Sequence, residues 1–476
     1  MATVADTEAK KGVPPWFPSF ATACLGGGLF GLDIGSSSSV VRVLGQGASE
    51  FGALGPIELG QVASASLLGA ILSSLAITIV GDKDIGRKSE LQIAACLFLT
   101  GTAVQSTASA YPILLLGRVL YGLGIGTAMH VAPLFIAETA PSEQRGRLIS
   151  FKEAAIVMGI VIGYAAGAVL GDSGSWQGVF LSAAPFEALM LLGALSPLVP
   201  ESPRWLALGG KTEEAERALG QLQGCSEGEA RVLVAGMTTT LGAGAKSLEG
   251  KGGAKGVGVG EKGKGGKAGG AIIEAKASKG AKGAKVGAGA EAVTEDAEGT
   301  EDRLATFRSL FSSPYNRRAL TIGLGLVLFQ QFSGQPSVLY FANNIFAQAG
   351  LGFEAAVGVG LFKFAMTFLS AYLVESPNFG RRTLLLWGNA GVTVSLLALA
   401  YLYANLDTAT AAAAAAGAGA VGAGAAANGD LWSSLTALAQ GPQGGIVAAI
   451  LCFVGCYQVG FGPITWLVLS EIFPLQ

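Results

Sequence analysis

The chain has little charge for its length. Asp, Glu, Lys and Arg together make up 13% of the 476 residues, whereas soluble domains carry roughly 25%. The net charge of −2 is close to neutral and gives no reason to expect nucleic-acid binding. A soluble globular protein is therefore disfavoured.

Chemically reactive side chains are also scarce. His130 is the only histidine, which excludes a histidine-based metal cluster. Four of the five cysteines lie in apolar stretches and Cys225 lies in a polar segment, so we expect packing residues rather than disulfides or a metal site. We find no nucleophile–base pair and no phosphate-binding loop, which argues against an enzyme and against a cofactor.

Long apolar stretches are what the chain has in abundance. Hydrophobic residues make up 51% of it, and its mean hydropathy is +0.52. Ten stretches approach the ~20 residues that a membrane helix needs. They are residues 19–44, 57–80, 91–108, 112–136, 148–171, 177–199, 319–348, 354–374, 384–404 and 445–469. The sequence therefore predicts an all-α polytopic membrane protein.

A charged pattern occurs twice among these stretches. Gly86-Arg87-Lys88 follows the second stretch and Glu138 follows the fourth, while Gly380-Arg381-Arg382 and Glu471 hold the matching places in the second half. Such internal duplication is typical of membrane transporters. After Glu138 the first half continues for two more stretches, but the chain ends at Gln476. We therefore expect a fragment or an incomplete gene model with ten of twelve transmembrane helices, inactive as it stands.

The basic residues predict the orientation. Lys and Arg cluster before the first stretch and after the second, fourth, sixth and eighth, whereas loops 45–56, 172–176, 349–353 and 405–444 contain none. By the positive-inside rule, both termini face the cytosol. The polar start and the length of the first apolar stretch argue against a cleavable signal peptide.

These features divide the chain into four parts. We expect a cytosolic N-terminus at 1–18, a six-helix bundle at 19–199, a cytosolic loop at 200–318 and a truncated second bundle at 319–476. The loop contains an amphipathic stretch at 211–222 that predicts a short helix lying against the membrane domain. A Gly/Ala/Lys tract at 242–289 predicts a disordered insert. We expect helix again near 301–313.

A second biased tract consists of Ala and Gly except for Val421. It covers residues 411–427 and has Asp407, Asn428 and Asp430 beside it. We assign it to an enlarged outer loop, with a marginal extra helix as the alternative.

Five of the charged residues inside apolar stretches stand out, because a charge there costs on the order of 2.5–3.5 kcal/mol and so needs a partner or a function. They are Asp33, Arg118, Lys152, Glu153 and Lys363. One interpretation is structural ion pairing. In the other, Asp33 accepts a proton according to whether Arg118 is near, and Glu153 pairs with Lys363 across a cavity, as part of a substrate site or as a latch between the halves.

The seventh stretch contains a cluster of amides. Gln330, Gln331 and Gln335 both donate and accept hydrogen bonds without carrying charge. Together with the aromatic residues Tyr340, Phe341 and Trp466, they suit a neutral polyhydroxylated ligand. Interhelical hydrogen bonding is the alternative role.

Several motifs, taken in order, resemble the sugar porter family of the major facilitator superfamily. The resemblance covers almost the whole chain except the two biased tracts. The motifs are Gly117-Arg118 with its glycines, Pro133 to Glu138 with Arg145-Gly146, Pro200-Glu201-Ser202-Pro203-Arg204, Gln330-Gln331 with Gly334, and Gly462 to Trp466 before Ser470-Glu471. The residues of these motifs are most similar to those of plant and algal xylose–proton symporter-like and vacuolar or Golgi hexose carriers.

The resemblance implies two bundles that rock about a central sugar site. It implies proton coupling at Asp33 and Arg118, and sugar contacts at Gln330, Gln331 and Trp466. It also implies a cytosolic salt-bridge network that holds the outward-facing state, formed by Glu138, Arg145, Glu201, Arg204, Arg381, Arg382 and Glu471.

Three positions depart from the family pattern. Glu153 stands where a sugar-binding glutamine is usual, Lys363 where asparagine is common, and Pro336 where asparagine binds sugar, with Gln335 before it as a stand-in. We include Glu153, Gln335, Tyr340 and Lys363 in the expected substrate site.

The sequence therefore predicts a proton-coupled hexose or pentose transporter, monomeric in the lipid bilayer, whose partners are a monosaccharide and a proton. The alternatives are a facilitative sugar or cyclitol uniporter and a non-transporting sugar sensor. The vacuole, Golgi or another endomembrane, the plasma membrane and the plastid envelope all stay open as locations.

Overall fold

The computed structural model describes residues 13–47, 50–80, 85–141, 144–171, 173–237, 314–348, 352–375, 380–415, 442–462, 464–465 and 468. Throughout these ranges the regular structure is helical, and no strand occurs in them. The tract at 242–289, the helix expected near 301–313, Trp466 and Glu471 lie outside the described residues.

The described part of the first half contains seven helices, and three more helices follow them in the segment after residue 200. They are α1 (Phe17–Gly45), α2 (Pro56–Val80), α3 (Arg87–Ser106), α4 (Tyr111–Thr139), α5 (Arg145–Leu170), α6 (Trp176–Leu181), α7 (Ala184–Leu195), α8 (Pro203–Leu208), α9 (Thr212–Gln223) and α10 (227–237). Successive long helices run in opposite directions. We call the end that carries Gly86–Lys88 and Glu138 the basic end, and the end that carries Gly45 and Leu170 the neutral end.

The described part of the second half contains six helices. They are α11 (Pro314–Phe332), α12 (Gln335–Tyr340), α13 (Ala342–Gln348), α14 (Glu354–Glu375), α15 (Arg381–Ala415) and α16 (Pro442–Gly460). The chain forms two compact units, Met1–Thr239 with Leu326–Glu471, and Thr240–Gly325 with Ile472–Gln476. All contacts described below lie within the first unit.

Seven stretches of the described chain are long and apolar enough to cross a membrane. They are Phe17–Gly45, Pro56–Thr78, Tyr111–Thr139, Phe151–Leu170, Trp176–Leu195, Glu354–Val374 and Arg381–Leu402, and Gly445–Gly460 is a shorter apolar helix. The expected third and seventh spans correspond to α3 and to α11–α13, which do not meet that measure. The count of ten spans therefore stays partly a prediction.

Two of the expected spans are broken helices. Pro185 in the first turn of α7 has no backbone N–H to continue the hydrogen bonding of α6, so the sixth span bends between Leu181 and Ala184. Gly334 has a φ of 82° and Pro336 follows in the first turn of α12, so the seventh span stops at Phe332 and restarts at Gln335. Proline and left-handed glycine explain both breaks.

Two predictions about shorter segments have clear outcomes. The amphipathic stretch at 211–222 forms α9 (Thr212–Gln223), and Gln221 Nε2 donates to the carbonyl oxygen of Pro197 at 2.8 Å. The assignment of 411–427 to a loop is wrong for its first five residues, because α15 continues to Ala415. Alanine has the best helix propensity, so a run of it extends a helix that has already started.

Glycines bring α1 and α5 into backbone contact. A Cβ atom at Gly31 or Gly35 would collide with the backbone of Ile156 or Ile160, and one at Gly159 would collide with the backbone of α1. We call this contact the α1–α5 seam. Small residues at four-residue spacing allow such close approach in membrane helices.

A glycine of α4 plays the same part against α2. A Cβ atom at Gly122 would collide with the backbone of Ser66. The seam thus fixes α1 beside α5, and this contact fixes α2 beside α4.

Candidate functional site

Asp33 and Arg118 meet in the buried centre of the first half. Asp33 lies in the middle of α1 and is 2% exposed, while Arg118 lies in α4 and is fully buried. The guanidinium Nη1 contacts Asp33 Oδ1, and Nη2 lies 3.3 Å from Oδ2. The arrangement is a two-point charge-assisted pair, which is the strong form of carboxylate recognition by arginine.

Helix α2 completes the coordination of this pair. Ser66 Oγ donates to Asp33 Oδ2 at 2.9 Å and accepts from Arg118 Nη2 at 2.9 Å. Arg118 Nε donates to the carbonyl oxygen of Val62 at 3.0 Å. Both charges are thus hydrogen-bonded as well as paired, which a buried ion pair requires for stability.

The second half also reaches this pair. The hydroxyl of Tyr340, at the end of α12, donates to Asp33 Oδ2 at 3.4 Å. Sequence reasoning assigned Tyr340 to the sugar site, whereas here its hydroxyl contacts the expected proton-coupling carboxylate. Asp33 therefore takes part in a contact between the two halves.

At the neutral end, the two halves are held together by polar contacts. Asn343 Nδ2 donates to Ser38 Oγ at 3.2 Å and to Ser39 Oγ at 3.0 Å. The Tyr164 hydroxyl donates to the carbonyl oxygen of Leu339 at 2.9 Å. These bonds join α1 and α5 to α12 and α13. Sequence reasoning did not single out Asn343 or the serine run, although four consecutive serines (36–39) in an apolar helix were an available signal.

A second charged cluster lies where α5 meets α14. Lys152 Nζ and Glu153 Oε1 form an ion pair at 2.9 Å, whereas the ammonium group of Lys363 lies 5.5 Å from the centre of the Tyr457 ring. The expected direct pair between Glu153 and Lys363 is therefore not formed. The adjacent lysine reaches the carboxylate of Glu153 first, although that carboxylate is near enough for its charge to act on Lys363.

The predicted amide cluster is dispersed. Gln330 is 7% exposed, and its Nε2 donates to the carbonyl oxygen of Phe461 at 3.2 Å. Gln331 is exposed, and Gln335 is half-buried in the first turn of α12. Of the three glutamines, Gln330 is the buried one, and both it and Glu153 lie close enough to Tyr457 to act on its hydroxyl.

A third polar cluster lies at the basic end. Arg87 Nε is 3.4 Å from Glu138 Oε2, and Arg87 Nη1 is 3.6 Å from Glu90 Oε1. His130 Nδ1 lies 3.1 Å from Glu90 Oε2. Sequence reasoning missed Arg87, Glu90 and His130 as members of this cluster, although the Gly86-Arg87-Lys88 motif marked its position.

The other residues of the expected network have varied surroundings. Glu201 Oε1 accepts from the backbone N–H groups of Lys88 and Ser202, each at 2.9 Å. Arg145 and Arg382 are exposed, and Arg204 and Arg381 are half-buried. Of the predicted network, Glu138 thus contacts Arg87, and Glu201 contacts the backbone of Lys88.

Comparison with known proteins gives consistent relatives. A family model described as "Sugar (and other) transporter" matches residues 20–248 and 269–476. The chain is 37% identical over 467 residues to D-xylose-proton symporter-like 3, chloroplastic, of Arabidopsis thaliana, covering 96% of this chain and 69% of that protein. It is 35% identical over 469 residues to D-xylose-proton symporter-like 1 of the same plant, covering 96% and 76%.

Solved structures with the same architecture include the xylose transporter XylE from E. coli. Its inward open conformation matches with a TM-score of 0.62 at 23% identity, covering 97% of this chain and 84% of that one. The structure of the proton:xylose symporter XylE bound to 6-bromo-6-deoxy-D-glucose matches with a TM-score of 0.62 at 24% identity, covering 96% and 82%. At this identity the likeness shows the fold alone. The helical architecture, the family model and the plant relatives together show that this chain is an integral membrane protein with the major facilitator fold and belongs to the sugar porter family of transporters.

Proposed function

We propose that the chain carries a monosaccharide across the membrane together with a proton, by alternating access. The observation that carries the proposal is the buried Asp33–Arg118 pair and its contact with Tyr340 of the second half. The names of the plant relatives, which are xylose–proton symporter-like, support the same reading.

The pair supplies a physical link between a proton and the movement of the halves. A proton on Asp33 removes the negative charge that holds Arg118 Nη1 and Nη2. Arg118 then keeps its bonds to Ser66 and Val62, while a protonated carboxyl donates where it previously accepted. Because the Tyr340 hydroxyl donates to Asp33, this change alters a contact between α1 and α12.

The contacts at the neutral end favour a state open toward the basic end. Asn343, Ser38 and Ser39 join the halves at the neutral end. If the basic end faces the cytosol, as the positive-inside rule predicts, this state faces inward. Release of those contacts would then open the site to the other side. Glu153 of the first half and Lys363 and Gln330 of the second half are the proposed sugar contacts.

The proposal is tested by uptake of labelled D-xylose and D-glucose into proteoliposomes that contain the purified 476-residue chain, with and without an imposed proton gradient. We expect accumulation above equilibrium that an uncoupler abolishes, and this result would overturn the expectation, drawn from the repeated motif, that the chain is inactive. Asp33→Asn is expected to abolish accumulation and retain sugar exchange. Glu58→Gln, which removes an exposed acid from the first turn of α2, is the matched control and should accumulate sugar normally.

Three outcomes would contradict the proposal. Equilibration that an uncoupler does not affect would indicate a uniporter and make Asp33 a structural charge. Uptake of a cyclitol instead of either sugar would change the substrate. Sugar binding without flux through correctly inserted protein would favour a sensor.

A further inference from the structure

Lys363 is a buried cation with no ionic partner among the described residues. It lies in the middle of α14 and is 5% exposed. Within the described chain no carboxylate lies within ion-pair distance of its ammonium group, which lies over the Tyr457 ring at 5.5 Å from the ring centre. A buried ammonium group is costly unless it is paired and hydrogen-bonded. This site therefore favours the arrival of a negative charge.

In the part of the chain that the structure describes, the neighbouring charges do not cancel that of Lys363. Lys152 and Glu153 form their own ion pair at 2.9 Å, so Glu153 has already been matched by a cation. The Tyr457 ring is neutral, and Gln330 is an amide. The Asp33–Arg118 pair is balanced within itself. The cluster of Lys152, Glu153 and Lys363 thus has one positive charge in excess.

The surroundings of Lys363 suit a sugar ring. Tyr457 packs beside Phe453 and Phe461, with ring centroids 6.5 and 5.9 Å apart, which gives an aromatic wall for an apolar ring face. Glu153, with 22% of its side chain exposed, and Gln330 offer hydrogen-bonding groups for hydroxyls. These groups come from both halves, α5 on one side and α11, α14 and α16 on the other.

We propose that Lys363 binds an acidic group on the substrate, so that the site selects a monosaccharide with one carboxylate, such as a uronic or aldonic acid, over a neutral sugar. One carboxylate balances the single excess positive charge, whereas a doubly charged phosphate would leave one negative charge unbalanced. The inference rests on the proposed transport function and defines its substrate class.

The test measures binding and transport of three matched ligands by the purified full chain. The ligands are D-glucuronate, its neutral amide D-glucuronamide and D-glucose. Because a hydrogen bond to a charged group is stronger than a neutral one, we expect D-glucuronate to bind about ten- to a hundredfold more tightly than the other two. Binding is measured by calorimetry in detergent, and transport by flux into proteoliposomes.

Three variants assign the effect to one side chain. Lys363→Gln should remove the preference for D-glucuronate, and Lys363→Arg should retain most of it. Lys211→Gln, which removes an exposed cation from the residue before α9, should leave all three affinities unchanged. If Lys363→Gln does not fold, the comparison of the acid with its amide on the unmodified chain still decides the question.

The outcomes separate this inference from the proposed function. Proton-driven D-glucose uptake with no preference for the acid, or a preference that Lys363→Gln keeps, would overturn the inference and leave sugar transport standing. A Lys363-dependent preference for the acid supports it, even in protein that shows no flux. Absence of binding by every ligand to folded protein would overturn both.

Discussion

Among the described residues, the most deeply buried basic side chain of each half is Arg118 in the first and Lys363 in the second, and the two have opposite surroundings. Arg118 in the first half is fully buried and is bound by Asp33, Ser66 and Val62. Lys363 in the second half is almost as deeply buried, and its ammonium group lies over the aromatic ring of Tyr457. The first charge is satisfied by the fold itself. For Lys363, the described part of the fold supplies no counter-charge within ion-pair distance.

Glycines of the two halves differ in what surrounds them. In the first half, glycines of α1 and α5 bring two backbones into contact. In the second half, Gly388 of α15 approaches the backbone of Gly460 in α16 equally closely, whereas Gly358 of α14 is exposed and a Cβ atom there would meet open space. The contrast in packing is therefore between the α1–α5 seam and the exposed face of α14.

The largest expected effect comes from breaking the balanced charge. Arg118→Leu leaves Asp33 buried without its cation, which should lower the free energy of unfolding by about 3–5 kcal/mol. Lys363→Leu removes a charge that has no ion pair to lose, so stability should stay unchanged or rise. Chemical unfolding in mixed micelles, followed by tryptophan fluorescence, measures both. Equal losses in the two variants would remove the contrast between the halves.

The packing contrast is tested by adding one methyl group to each half. Gly35→Ala places a Cβ atom against the backbone of α5 and should cost about 1–3 kcal/mol. Gly358→Ala, also within a helix, has room for the methyl group and should gain up to about 1 kcal/mol from helix propensity. Thermal unfolding of the purified variants gives the signs. A stabilising Gly35→Ala would show that the α1–α5 seam is not as close as described.

The joint between the halves should contribute less. Asn343→Ala, combined in a double-mutant cycle with Ser38→Ala and Ser39→Ala, should reveal a coupling free energy of about 0.5–1.5 kcal/mol for each hydrogen bond. Midpoints of thermal unfolding supply the four corners of the cycle. A coupling of zero would mean that the neutral end is held by apolar packing instead.

The smallest effect is expected at the hydroxyl that crosses between the halves. Tyr340→Phe removes one long hydrogen bond to Asp33, at 3.4 Å, while Arg118 and Ser66 still hold the carboxylate. Its loss should cost less than about 1 kcal/mol of stability. In uptake assays we expect a change in the dependence on external pH, with Tyr372→Phe, which removes an exposed hydroxyl from α14, as the matched control. A loss of stability as large as that of Arg118→Leu would show that the Tyr340 hydroxyl is as important to the Asp33–Arg118 pair as the guanidinium group.

Much of the helical architecture was predictable, because long apolar stretches and the spacing of charged motifs are direct consequences of burial in lipid. The breaks near Ser182 and Gly334 were not predicted, although Pro185, Gly334 and Pro336 were visible. A proline in a membrane helix is compatible with either a kink or a break, and the neighbouring helices decide between them. The extension of α15 to Ala415 was not predicted. The small side chains of the tract favoured a loop assignment, whereas the high helix propensity of alanine favours the helix that forms.

The candidate site was predictable where a residue type is rare and only partly where it is common. Asp33 and Arg118 stood out because charges are expensive in apolar stretches, and they do meet. Ser66 and Asn343 gave no comparable signal, because serine and asparagine are ordinary in membrane helices. The partner of Glu153 was predicted wrongly, because proximity along one helix outweighed a contact across the halves.

The separation of Asp33 and Arg118 along the chain has a consequence for how the protein is made. The two residues are 85 positions apart, and at about 5–20 residues per second a ribosome takes roughly 4–17 s to cover that interval. During this time α1 exists without its counter-charge, and leaving an aspartate alone in lipid costs on the order of 2.5–3.5 kcal/mol. The first helix is therefore best kept beside the insertion machinery until the fourth emerges, so that the two enter the bilayer as a neutral pair.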